Sequence, residues 1–177
     1  AVPGEGKTFT VMNLAMSIAM ERDVSVLVID ADLIGRSLTE RMGLTAYPGL
    51  TDVLLDRHLT PGDVMVNGAI GNYAVIPAGR PAENPSELLS SERMRDVIQR
   101  AAQDCADSII LIDTAPLLTT SQAAVISDFV GQMLVVVEEG RTPQRAVTDA
   151  ISIIAENVSV GLVLNKSGRF SKSNYWP

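Results

Sequence analysis

Near its start the chain carries Ala1-Val2-Pro3-Gly4-Glu5-Gly6-Lys7-Thr8, a glycine-bearing turn that ends in a lysine and a threonine. These residue types suit anion chemistry. Glycine lets the backbone turn sharply, so that the N–H groups of Gly4, Glu5 and Gly6 can point inward together. Such a concavity of amides, continued into the positive end of the next helix, accommodates phosphate oxygens. Lys7 has the reach to meet β- and γ-phosphates, and the Thr8 hydroxyl is a magnesium ligand. Taken alone, with Ala1 rather than Gly at its first position, the turn also reads as a glycine-rich β-to-α connection with a surface lysine.

Three aspartates strengthen the case. Val26-Leu27-Val28-Ile29-Asp30-Ala31-Asp32 and Ile109-Ile110-Leu111-Ile112-Asp113-Thr114-Ala115-Pro116 are apolar runs that each end in carboxylate. In an open parallel sheet the carboxyl ends of the strands form the crevice where ligands bind. A carboxylate there holds magnesium directly or through water, or accepts a proton from an attacking hydroxyl. Each aspartate could instead cap the helix that follows, but three convergent ones favour a site. Loop and carboxylates together describe a site for a magnesium nucleoside triphosphate. Its catalytic candidates are Lys7, Asp30 and Asp32; Thr8, Asp32 and Asp113 are the metal candidates. Pro3, Gly4, Glu5, Gly6, Lys7, Thr8 and Phe9 are expected to line the nucleotide.

The elements that position these groups follow from periodicity. Phe9 to Met20 is apolar nearly all round, with Val11, Leu14, Ala15, Ile18 and Ala19 at helical spacing, which predicts a helix buried on most sides. Continuous apolar character predicts a strand over Val24 to Asp30, buried on both faces. Gly35 to Leu55, broken by Gly43 and Tyr47-Pro48-Gly49, reads as two short helices, the second over Leu50 to Leu55. A short Asp63 to Val66 piece and a Tyr73 to Pro77 strand lead to the loop Ala78-Gly79-Arg80-Pro81. Asn84 as cap, Pro85 in the first turn and Glu87 completing a capping box predict the next helix start. Ser90 or Ser91 restarts the pattern, and Met94, Val97, Ile98, Ala101 and Ala102 give an amphipathic helix. Strands over Ser108 to Asp113, Met133 to Val137 and Val158 to Leu164 alternate with helices over Gln122 to Ser127 and Thr142 to Glu156. The alternation predicts an α/β protein with a doubly wound, mainly parallel sheet.

At 177 residues the chain is the size of one domain. Its aromatic content is only 4% against 46% hydrophobic residues, so the core must be built from aliphatic side chains, as parallel α/β architecture requires. A net charge of −7 excludes a nucleic-acid face, which needs clustered cations. The acid-free tail from Lys166, with Arg169 and Lys172, reads as a short solvated segment or as a dock for an acidic partner or the nucleotide. Cys105 and His58 stand alone, which excludes an internal disulfide and a His/Cys metal cluster and fits a reducing cytoplasm. No run approaches a membrane span or a secretory signal. A phosphate loop of this type normally follows a buried strand, and Ala1 is already inside the motif. The first strand is therefore expected to be missing from this stretch, which would leave a central sheet position empty.

Nearly the whole chain resembles the cytoplasmic domain of bacterial tyrosine kinases, the polysaccharide-associated autokinases. The resemblance rests on Pro3-Gly4-Glu5-Gly6-Lys7-Thr8, on Val28-Ile29-Asp30-Ala31-Asp32-Leu33 as a second Walker A-like motif, and on Ile112-Asp113-Thr114-Ala115-Pro116 as Walker B. It rests most specifically on Pro77-Ala78-Gly79 followed by Asn84-Pro85-Ser86-Glu87-Leu88-Leu89-Ser90-Ser91. It implies a P-loop NTPase three-layer sandwich over residues 1–166 and a basic tail over 167–177. It further implies ATP and Mg2+ as cofactors, transfer of the γ-phosphate to tyrosine, and Tyr175 as phosphoacceptor in a neighbouring subunit's site. A homo-oligomeric ring, a membrane-bound polysaccharide co-polymerase as partner, and a place in the cytoplasm at the inner face of the plasma membrane belong to the same expectation. Carried over, Lys7 neutralises the migrating phosphoryl, Thr8 and Asp113 hold magnesium, and Asp30 and Asp32 share the base and water-mediated metal roles, with Asp30 favoured as base. Asn165 resembles the position that meets adenine in related ATPases; a turn or helix cap is the other reading. Two departures stand out: Ile34 sits where the family usually has arginine, and the acceptor cluster is reduced to Tyr175. A partitioning or septum-placement ATPase of the same fold is the alternative function, disfavoured by Val2 where those proteins carry a signature lysine. A nucleotide-binding scaffold without transfer activity is a third reading.

Overall fold

The computed structural model describes residues 1–69 and 72–168. At its centre lies β1 (Ser25–Asp30), whose residues Val26 to Ile29 are all buried. On one side β1 pairs in parallel with β3 (Tyr73–Ile76), Val26 opposite Tyr73 and Ile29 opposite Ile76. On the other it pairs in parallel with β4 (Ser108–Asp113), in a register that sets Asp30 directly opposite Asp113. A two-residue strand, β2 (Val66–Asn67), adds antiparallel to β3. The remaining strands, β5 (Gln132–Glu138) and β6 (Ser159–Asn165), pair in parallel with each other.

Helices cover both faces because successive strand side chains point to opposite sides. Leu27 and Ile29 face a cluster that includes Leu50 and Val53 of α3 (Leu50–Leu55) and Met94, Val97 and Ala101 of α5 (Glu92–Asp104). Val26 and Val28 face Ala15 and Ala19 of α1 (Lys7–Ala19) and Leu38 of α2 (Ser37–Arg41). Burial of each such Leu or Ile contributes roughly 1.5–3 kcal/mol. A third cluster, with Val135 of β5, Ala123 of α6 (Gln122–Ser127) and Ala150 of α7 (Gln144–Ile151), serves the other pair of strands. These layers are the three-layer α/β sandwich the sequence predicts. As expected, Ser91 caps α5, its hydroxyl accepting from the Met94 N–H at 3.2 Å.

The sheet is in two parts. No pairing joins β4 to β5 among the described residues. Between them lies a cavity of about 570 Å³, lined by Ile110 and Ile112 of β4, Leu134 and Val136 of β5, and Val11 and Leu14 of α1. This slot separates β4 from β5 in the described sheet. The reading of α1 as buried on most sides is corrected: only Ala15 and Ala19 are fully buried, while Phe9 is 60% and Met16 40% exposed. The helix packs on β1, β3 and β4, but its flank toward β5 meets the slot rather than a neighbour.

Two helix starts also differ from expectation. At α4 (Pro85–Leu89) the Asn84 side chain makes no capping hydrogen bond, and the first turn closes through the Asn84 carbonyl and the Leu88 N–H at 3.1 Å. Thr142 does not open α7, because its hydroxyl is engaged by the phosphate loop; that helix starts at Gln144 and stops at Ile151, well short of Glu156. No described helix is long and apolar enough to cross a membrane.

Candidate active site

The phosphate loop folds as its glycines dictate. Gly4 and Gly6 have φ of +84° and +95°, the left-handed region that side chains resist. A Cβ on Gly6 would lie 2.2 Å from the Asn165 Nδ2. That amide donates to the Glu5 carbonyl at 2.8 Å, so the tip of β6 braces the loop from behind. Asn165 thus braces the loop, a role additional to the adenine contact and the cap anticipated for it.

Glu5 supplies a second brace that residue types did not reveal. Its carboxylate is buried and accepts from the Val2 N–H at 2.6 Å and the Thr142 hydroxyl at 2.7 Å, as well as from the Ala1 nitrogen. Burial pushes its pKa up, but these hydrogen bonds outweigh that and hold it below the usual carboxylate range. Lys166, expected in a solvated tail, is instead tied to the loop: its ammonium donates to the Gly4 carbonyl at 2.7 Å and to the Glu138 carboxylate at 2.9 Å. Its backbone sits at φ +56°, a rare conformation for a side-chain-bearing residue. Arg141 shares the same Glu138 carboxylate at 3.4 Å.

Lys7 and Thr8 are the first two residues of α1. The Lys7 ammonium donates to the Val2 carbonyl at 3.0 Å. Burial lowers its pKa, against the raising influence of Glu5, Asp113 and Asp32. Pro3 is exposed on the loop, and Phe9 points to the exposed side of α1.

The three strand-end aspartates come together, with different surroundings. Asp113 is buried and its pKa is pushed up to about 7. Desolvation is the main cause; the charges of Asp30 and Asp32 add to it, while the Thr8 hydroxyl and Lys7 oppose it. Its Oδ2 is buried with no hydrogen-bond partner. A buried, unpartnered carboxylate oxygen is costly and is the oxygen donor a hard divalent cation requires. Asp113 and Thr8, with Asp32 nearby, therefore fit magnesium; among the described residues no cluster of three or more acidic, His or Cys side chains has metal-holding geometry.

Asp30 is fully buried. Its Oδ2 accepts from the Thr39 N–H at 2.9 Å and the Thr39 hydroxyl at 2.6 Å, and its Oδ1 from the Asp32 N–H at 3.2 Å. Desolvation raises its pKa against those hydrogen bonds. Asp32 is half-buried, and its Oδ1 accepts from the Gly35 N–H at 2.8 Å. The structure thus separates two carboxylates whose roles the resemblance shares out with Asp30 favoured as base: Asp30 is enclosed, Asp32 is reachable. Tyr175 lies outside the described residues; Tyr73 sits on β3 and Tyr47 is half exposed.

A glycine loop entering a helix, faced by carboxylates at the ends of parallel strands, defines a P-loop α/β nucleotide-binding protein. A family model described as an AAA domain matches residues 3–158. The putative tyrosine-protein kinase AmsA of Erwinia amylovora is 33% identical over 99% of this chain and 24% of its own length. The tyrosine-protein kinase YwqD of Bacillus subtilis is 30% identical over 99% of this chain and 74% of its own. Among solved structures, the kinase domain of the Escherichia coli tyrosine kinase Etk superposes with a TM-score of 0.86 at 31% identity, covering 98% of this chain and 68% of that one. A ParA family ATPase from Chlorobium tepidum shares the fold, with a TM-score of 0.74 at 19% identity over 96% of this chain and 72% of that one. The chain belongs to the bacterial tyrosine-protein kinases, a branch of the P-loop ATPases. It spans about a quarter of AmsA and 22% of the two Salmonella relatives named Wzc.

Proposed function

We propose that the protein is an ATP-dependent protein-tyrosine autokinase that regulates capsular or exopolysaccharide biosynthesis and export. The observation that carries this reading is the Asp113 Oδ2, buried and unpartnered beside Thr8 at the mouth of the phosphate loop. Asp113 and Thr8, with Asp32, are the residues to hold Mg2+, which when bound neutralises charge on the phosphate oxygens. The loop amides of Gly4, Glu5 and Gly6 cradle the phosphates, and Pro3, Phe9 and Asn165 complete the proposed nucleotide site. Lys7 is assigned to neutralise the migrating γ-phosphoryl. In the transfer, a tyrosine phenol oxygen forms the new P–O bond, the bond from γ-phosphorus to the bridging oxygen breaks, and ADP departs. The phenol proton passes to a carboxylate, for which the reachable Asp32 is better placed than the enclosed Asp30. Phosphoryl transfer of this kind depends on positioning and charge neutralisation more than on strong basicity.

The acceptor we assign is Tyr175, in a tail over 167–177 that enters a neighbouring subunit of a homo-oligomeric ring. The polysaccharide co-polymerase partner and a position at the inner face of the plasma membrane belong to the same proposal. The names of the relatives support kinase chemistry, whereas the likeness to the ParA family ATPase extends to the fold alone. Val2, in place of a signature lysine, also counts against a partitioning switch. Mass spectrometry after incubation of the full-length protein with Mg-ATP tests the reading: phosphate on Tyr175 is expected, and ATP hydrolysis with no modified tyrosine refutes it.

A further inference from the structure

Thr39 lies on α2, 0% exposed, and belongs to none of the motifs that mark the nucleotide site. A buried threonine has no inherent need of elaborate bonding: Thr51, equally buried, leaves its hydroxyl without a partner. The N–H and hydroxyl of Thr39 make three hydrogen bonds. Its N–H and its hydroxyl both donate to the Asp30 Oδ2, at 2.9 and 2.6 Å, and the same hydroxyl oxygen accepts from the Ala78 N–H at 2.8 Å. Each neighbour in this chain is itself held. Leu50 and Thr51 at the start of α3 donate to the Pro77 and Ala78 carbonyls at 2.7 and 3.0 Å, so the position of Ala78 is fixed from outside the site. On the inner side the Asp30 Oδ1 accepts from the Asp32 N–H.

The connection therefore runs from α3, through the loop at Ala78, to the Thr39 hydroxyl, the Asp30 carboxylate and the backbone of Asp32. A carboxylate gripped on one oxygen by two donors cannot rotate about its Cβ–Cγ bond without breaking both, and its other oxygen is thereby aimed at Asp32. Resting on the kinase reading above, we propose that Thr39 is a positioning residue of the phosphoryl-transfer site. Through Asp30 it fixes the backbone that presents the Asp32 carboxylate to the metal-bound triphosphate. Asp30 is then the strut and Asp32 the working carboxylate, and the run Pro77-Ala78-Gly79 gains a task as the outer anchor of that strut.

The test uses the full-length protein with Thr39→Val, which keeps the shape and removes the hydroxyl, and Thr39→Ser, which keeps the hydroxyl. In Thr39→Val, kcat for tyrosine phosphorylation is expected to fall ~10- to 100-fold, as sub-ångström misplacement of reacting groups does. KM for Mg-ATP is expected to rise by no more than the metal affinity falls, about tenfold, because the phosphate cradle is untouched. In Thr39→Ser, kcat returns to within about threefold of the parent. Mn2+ titration with a non-hydrolysable ATP analogue should show ~10-fold weaker metal binding in Thr39→Val, also restored by Ser, as loss of an outer-shell partner does. A Thr39→Val protein whose kcat and Mn2+ affinity equal those of the parent overturns the proposal. So does a Ser variant as impaired as Val, since the hydroxyl would then be irrelevant. If the unaltered protein modifies no tyrosine, the kinase reading fails separately, and the Mn2+ titration alone decides the role of Thr39.

Discussion

Asn165, the last residue of β6, donates through its Nδ2 to the carbonyl of Glu5 at 2.8 Å. The end of one sheet thereby supports a loop that lies far from it along the chain. Replacing Asn165 with Ala removes that support without touching a loop residue. ATP affinity is expected to weaken ~5- to 10-fold, the equivalent of about one net hydrogen bond. Isothermal calorimetry checks this; unchanged affinity would mean the loop holds its shape unaided.

The Glu5 carboxylate is buried, and the Thr142 hydroxyl is one of its three donors. Thr142→Val keeps the volume and removes the donor, which leaves a buried charge less well satisfied at a cost of about 1–3 kcal/mol. A domain of this size converts that into a fall in Tm of ~3–10 °C. Thr142→Ser should melt within about 2 °C of the parent. Differential scanning calorimetry distinguishes the two.

Asp113 predicts a pH dependence with a definite sign. Its folded pKa of about 7 lies above its ordinary value of 3.8, so between those values the folded state retains a proton that the unfolded state releases. Stability of the ligand-free protein should therefore fall as pH rises from about 4 to about 7, by ~1.4 kcal/mol per unit of pKa difference at most. Asp113→Asn removes this component: the variant should melt several degrees above the parent at pH 8 and close to it at pH 4.5. It should also lose Mg2+-dependent ATP binding at both. Thermal melts across pH on both proteins supply the difference, and parallel curves would contradict the assignment.

Much of this structure was legible before any coordinates. The Val/Ile-rich runs before Asp30 and Asp113 announce buried parallel strands, and strands in register bring their terminal carboxylates together, as Asp30 opposite Asp113 shows. The two glycines of the loop announced its turn, and their positive φ angles bear that out. What remained hidden are contacts without a period. Glu5 meets Thr142 across 137 positions, Lys166 meets Gly4 across 162, and the Thr39 hydroxyl meets Ala78 across 39. No local spacing encodes such pairs, and a buried Glu or Thr looks like a surface one until its neighbours are known. The misjudged burial of α1 has a similar origin. An all-round apolar helix does not state which of its sides the sheet will cover, and Phe9 and Met16 lie on the side left exposed.

The phosphate loop precedes its braces, which arrive from Glu138, Thr142, Asn165 and Lys166. During synthesis the ribosome releases the glycines well before the residues that steady them. A growing polypeptide thus lacks the braced loop until the stretch from Glu138 to Lys166 has emerged.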